Sequence, residues 1–183
     1  MKRKHTKLRF LLLDANIVIE AYGLGVWEKL IESVQISVPS IVINDEALFW
    51  KSSEGGIPHE INLRRLVREK RIQEVAANEA EIKALGDNFD RAFVDSIHAG
   101  EAEALALLYS KRLPGHRFCT SDVPAIIGLV LLGASEAGIS LEEVIRSQGI
   151  GIKRPLRKQF TDQFFKEQVK LGERKRILGM KLK

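Results

Sequence analysis

The chain of 183 residues has a single cysteine, Cys119. One thiol excludes an intrachain disulfide framework and any zinc site built mainly on thiolates, and a cytoplasmic setting is the expectation that fits. No apolar run is long enough to cross a bilayer: Ile126 to Leu132 is typical of the longest, where about 20 residues are needed. The start, Met1-Lys2-Arg3-Lys4-His5 and then Leu8 to Leu13, imitates a secretion signal. Asp14 and Asn16 interrupt it, however, and no small-residue cleavage site follows. No internal repeat is visible either. A soluble globular protein with no membrane partner is what remains, and the apolar share is enough for a substantial core.

What is present is charge, unevenly placed. Residues 1–10 carry +5 and residues 151–183 carry +8, which leaves −8 on residues 11–150 within a total of +5. Basic ends around an acidic body suit a polyanion such as RNA, although charged tails also serve simply as solvated ends. The most concentrated cations are Lys153, Arg154, Arg157, Lys158, Arg174, Lys175 and Arg176, the candidate RNA-binding residues. In the same stretch Leu156, Phe160 and Phe164 fall four apart with Phe165 and Val169 beside them, which predicts a one-sided helix docked on the body or on a second subunit. The expected division is therefore a domain over 1–150 and a basic helical extension over 151–183.

Leu8 to Leu13 has no helical period, as in a strand buried on both faces of a parallel sheet. Short helices follow over 16–22 and 26–33, then a strand over 35–38. Pro39-Ser40 opens a helix expected to carry Ile41, Val42, Ala47, Leu48 and Trp50. A loop is expected from Lys51 to Pro58, a charged helix over 60–70, and a short strand over 71–75. Asn78 caps a helix with Glu79 and Glu81 in its first turn. A helix over 101–109, a strand over 117–119 and a helix from Asp122 to Leu132 come next, and Ser140 with Glu143 forms a capping box for one more. Strands alternating with helices predict an α/β domain around a mainly parallel sheet.

Four acids fall at or near the carboxyl ends of these strands, where open α/β sheets bind ligands. Asp14 follows the first strand, Glu46 lies in the helix after the second, Glu103 is in the first turn after Gly100, and Asp122 follows the strand at 117–119. None has an evident basic partner on its own helix. Taken singly, each serves equally well as a helix cap, a dipole partner or a solvated face. Converging without cations they would repel, and hard divalent ions such as Mg²⁺ or Mn²⁺ remove that problem. Paired ions of this kind support phosphodiester hydrolysis.

The sequence resembles the PIN-domain family, in its VapC-like branch. Leu11-Leu12-Leu13-Asp14-Ala15-Asn16 looks like the family's opening strand and Asp-x-Asn/Ser, and Val38 to Glu46 like its second strand and acid. Gly100-Glu101-Ala102-Glu103-Ala104-Leu105-Ala106-Leu107 is close to the Gly-Glu-Ala-Glu-Ala form of that branch, and Cys119-Thr120-Ser121-Asp122 looks like the Thr-x-Asp end. The resemblance spans roughly residues 8 to 147. It implies a three-layer α/β/α fold and a metal-dependent endoribonuclease holding Mg²⁺ or Mn²⁺ on Asp14, Glu46, Glu103 and Asp122, with Asn16 and Thr120 as polar helpers. Asp45 stands as the alternative to Glu46, and Glu101 as the secondary candidate beside Glu103. Many relatives are toxins paired with an antitoxin protein, and dimers are common. The basic extension departs from the usual shorter toxins, and a module that binds RNA or protein without catalysis is the competing expectation. A dehalogenase-type phosphotransferase is disfavoured because position 16 is Asn where a second Asp is needed.

Overall fold

The computed structural model describes residues 8–52 and 56–178. Lys2, Arg3, Lys4 and Lys7, four of the five cations in residues 1–10, lie outside them. The first strand, β1 (Phe10–Leu13), is central, and Leu11, Leu12 and Leu13 are fully buried. Alternation explains how one strand serves two cores. Leu11 and Leu13 join Ile17, Val18, Leu30 and Ile36 on one face, while Leu12 joins Leu105, Phe118 and Leu129 on the other. Apolar side chains on both faces require helices on both faces, and the result is a three-layer α/β/α architecture.

β2 (Gln35–Pro39) and β6 (His116–Cys119) flank β1, while β5 (Gln73–Val75) and β7 (Gly138–Ile139) form the edges, giving the order β5-β2-β1-β6-β7. Every pairing is parallel, with Leu11 opposite Ile36, Leu12 opposite Phe118, Val38 opposite Glu74 and Phe118 opposite Gly138. The chain builds outward from β1 on one side and then crosses to β6 on the other. That reversal lies between β1 and β6, and the crevice beyond it is where such sheets hold ligands.

The helices are α1 (Ala15–Gly23), α2 (Trp27–Ser33), α3 (Leu63–Arg68), α4 (Glu79–Gly86), α5 (Arg91–Val94), α6 (Ala99–Tyr109), α7 (Val123–Leu131), α8 (Leu141–Ser147) and α9 (Asp162–Ile177). Local chemistry starts several of them as expected. Asn78 and Glu81 exchange both bonds of a capping box, while of the box expected at Ser140 the structure shows the hydroxyl accepting the Glu143 N–H at 3.1 Å.

One expected helix is cut short. After Pro39 the chain makes a wide π-helical turn, Val42–Glu46, and Ala47 leaves helical geometry (φ −95°, ψ 58°). Phe49–Lys51 is instead β3, paired antiparallel with β4 (Pro58–Glu60), so both ends of the expected loop, Lys51 and Pro58, are strand residues, and residues 53–55 of that loop lie outside the described residues. The Trp50 and His59 rings stack at 4.5 Å, a cross-strand contact that a continued helix would forfeit.

The basic extension packs on the body. Phe160 and Phe165 are buried, each a burial of about 1.5–3 kcal/mol. The Phe165 ring lies over Gly138 so closely that an added Cβ there would meet its Cζ at 2.5 Å, and Gly172 of α9 rests on Val130 of α7 in the same way, at 3.0 Å. Among the described residues no helix is long and apolar enough to cross a membrane.

Candidate metal centre

The parallel sheet sends the ends of β1 and β6 to one edge, and Asp14 and Asp122 follow them. Asp14 caps α1: its Oδ1 accepts the Ile17 N–H at 2.8 Å, and its Oδ2 accepts the Thr120 hydroxyl. The same Thr120 oxygen accepts the Asp122 N–H at 3.1 Å, so one buried hydroxyl ties the two acids together. Asp122 precedes α7 in the capping position, yet its side chain caps nothing. Its Oδ1 is buried without a hydrogen-bond partner. A buried carboxylate oxygen in that state is costly unless a cation meets it.

Glu46 reaches the same place from the π-helical turn. Its Oε1 accepts the Gly100 N–H at 3.1 Å, at the start of α6. Gly100 has to be glycine: a Cβ would lie 2.7 Å from Val42 Cγ2 and 3.0 Å from Glu46 Cδ, and closer still to its Oε2. Asp45, the neighbouring alternative, is exposed.

Glu101 and Glu103 go different ways because residues two apart on a helix are about 200° around it. Glu103 is buried and faces backbone: its Oε2 accepts the Ile41 N–H at 3.0 Å, and its Oε1 accepts the Ala77 N–H at 3.1 Å and the Ser40 hydroxyl at 3.4 Å. It thereby clamps together the chain leaving β2 and the chain leaving β5. Glu101 faces the other acids. Burial pushes its carboxyl up to about 8, with the charges of Asp122, Asp14 and Glu46 adding to the rise and the His98 N–H opposing it.

Asp14 is raised to about 6, again by burial first, while bonds from Thr120, Ile17 and Ser121 pull it back and the Asp122 charge pushes it up. Among the described residues none of Asp14, Glu46, Glu101 and Asp122 is ion-paired with a lysine or arginine. The histidine that joins them is His98, whose Nδ1 is 3.6 Å from Glu101 Oε1. His98, Glu101 and Asp122 each offer a donor atom within 4.8 Å of the others, so this group could hold a metal ion.

His98 was not visible as a site residue in the sequence. The signal for it was the spacing His98 to Glu101, which is that of a cap and its third helical residue, with Glu101 Oε2 accepting the His98 N–H at 3.1 Å. Asn16, expected as a polar helper, is exposed on the first turn of α1.

Of the cations expected to meet RNA, Arg154 and Arg157 are both committed to Glu20 of α1. Arg157 bonds its Oε2 and Arg154 lies 3.4 Å from its Oε1. Lys153, Lys158, Arg174 and Arg176 are exposed, and Lys175 is half-buried. No family model matches this chain, and no curated protein or solved structure does either.

Proposed function

We propose that the protein is a metal-dependent endoribonuclease of PIN-like type, with Asp14, Glu46, Glu101 and Asp122 as the acids around a Mg²⁺ or Mn²⁺ site. The observation that carries this is Glu101 grouped with Asp122 and His98 and set near the charges of Asp14 and Glu46, with no lysine or arginine ion-paired to these acids among the described residues and one Asp122 oxygen buried without a hydrogen-bond partner. That donor set fits a hard divalent cation, because carboxylate oxygens are its preferred ligands. A bound ion would supply the positive charge that favours attack of water on a phosphodiester and steadies the leaving oxygen.

The residues around it have separable duties. Thr120 fixes one Asp14 oxygen and the Ile17 N–H fixes the other, so Asp14 presents a set orientation. Gly100 lets Glu46 approach the start of α6. Glu103, held by two backbone N–H groups, is a positioning residue that keeps the Ser40–Glu46 segment in place. This assignment moves the third acid from Glu103 to Glu101. His98 adds a nitrogen donor, which Mn²⁺ accepts more readily than Mg²⁺.

RNA is the substrate class that the PIN-like resemblance implies, and the basic extension is consistent with it. A toxin role with an antitoxin partner follows from the same resemblance, and co-purification with a small neighbouring protein would test it. The direct test of the enzyme is cleavage of single-stranded RNA. It is expected to need Mg²⁺ or Mn²⁺, to stop with EDTA, and to leave 5′-phosphate and 3′-hydroxyl ends. Purified protein that binds RNA but cleaves none with either ion would support the non-catalytic module instead.

A further inference from the structure

Beside α1 lies a cavity of about 420 Å³ that has no part in the acidic cluster. Ile19 and Phe49 form its apolar wall, and Lys51, Arg154 and Arg157 bring three cations to it. Glu20, only 2 % exposed, lies at its base and holds Arg154 and Arg157 by their guanidinium groups. The Arg157 guanidinium also sits 5.0 Å over the Phe160 ring. Two arginines are thus fixed in direction by buried partners, while their side chains remain 37 % and 56 % exposed. An arginine has five N–H donors, and one carboxylate shared by two arginines leaves several facing outward. Counting Glu20, the described residues that line the cavity carry a net +2. Phe49 is 57 % exposed at its rim, an aromatic face left open to solvent.

Three cations beside one acid leave positive charge in excess among the described lining residues. The excess charge calls for an anion, and the open aromatic calls for a flat ring. A phosphate beside a base meets both demands, by the combination that single-strand binders use. The location agrees. Glu20 is six residues along α1 from Asp14, roughly 9 Å of helix, and Phe49 follows Glu46 by three residues. We propose that this cavity takes one nucleotide of a single-stranded RNA whose neighbouring phosphodiester lies at the acids. Its phosphate sits on Lys51, Arg154 and Arg157, and its base lies against Phe49. The proposal rests on the ribonuclease reading for its choice of RNA, but the cavity can be tested without cleavage.

The test is fluorescence anisotropy with a labelled single-stranded RNA oligonucleotide in EDTA, using full-length parent, Phe49→Ala and Lys51→Gln, with a thermal melt of each. Both side chains are surface-exposed, so the melts are expected to match the parent. Phe49→Ala should weaken binding about tenfold. Lys51→Gln should lower the slope of log affinity against log salt by about 0.7. Parent-like binding and slope in both variants, or no RNA binding by the parent, overturns the proposal. A second arm titrates adenosine monophosphate: affinity equal to that of the oligonucleotide, and equally sensitive to Phe49→Ala, replaces the strand with a free nucleotide and also overturns it. Because no metal is present, failure of cleavage elsewhere leaves these outcomes unaffected. Active enzyme with unaltered Phe49→Ala binding would remove the cavity while keeping the ribonuclease.

Discussion

Glu20 and Asp14 lie on the same helix and are equally buried, yet their surroundings are opposites. Glu20 is answered from within the chain by Arg154 and Arg157. Asp14 has the charges of Glu101 and Asp122 near it and, among the described residues, no lysine or arginine ion-paired to it. The charge of Glu20 is balanced within the fold, although its Oε1 makes no hydrogen bond. Asp14 and Glu101, buried close to further acids, have raised pKa values instead. The two ends of α1 thus differ: its C-terminal half fastens the extension, and its N-terminal end faces the acidic cluster.

The strongest way to break the comparison is to remove the answer to Glu20. Ending the chain after Gly151 deletes both arginines and also uncovers the seats of Phe160 and Phe165. A loss of several kcal/mol is expected, read as a large fall in denaturation midpoint. A truncated protein as stable as the parent would make the extension a mere tail.

At the other end of α1, Asp14→Asn and Glu101→Gln should each lower RNA cleavage about 100-fold while the melting temperature holds or rises, since each removes an uncompensated charge. Gly100→Ala should lower cleavage as well, by displacing Glu46.

Glu20→Gln sharpens the contrast from its side. Both guanidinium groups can still reach water, so the expected cost is about 2 kcal/mol, below that of stranding a wholly buried partner. Chemical denaturation of parent and variant measures it, and a gain in stability would contradict the account.

The smallest expected effect is on pH. The folded-state pKa values of Asp14 and Glu101 stand at about 6 and about 8, above the roughly 4 of an unfolded carboxyl. The folded chain therefore holds protons that the unfolded chain has lost. Their contribution to stability is present below about pH 4 and is lost as pH rises to about 8. Melting temperatures of metal-free protein should decline across that window, and Glu101→Gln should flatten the decline.

The sequence carried much of this, for reasons visible in particular residues. Leu11-Leu12-Leu13 marked a strand buried on both faces, and acids at the strand ends marked the edge where a site belongs. Glu101 against Glu103 could not be decided by spacing, because both lie in the first turns of one helix and only the direction of each side chain separates them. The Phe49–Lys51 strand was hidden because its partner, Pro58–Glu60, lies across a loop that propensity does not bridge. Glu20 gave no signal, since its arginines arrive from more than 130 residues away.

His98, Glu101 and Asp122 could hold a metal ion, and the proposed site adds Asp14 and Glu46 and leaves out Glu103. Isothermal titration of Mn²⁺ into metal-free parent, Glu101→Gln and Glu103→Gln tests it most directly. Saturable binding is expected in the parent, with loss of most affinity in Glu101→Gln and its retention in Glu103→Gln. Parent-like binding in Glu101→Gln, or no saturable binding in the parent, would contradict the account.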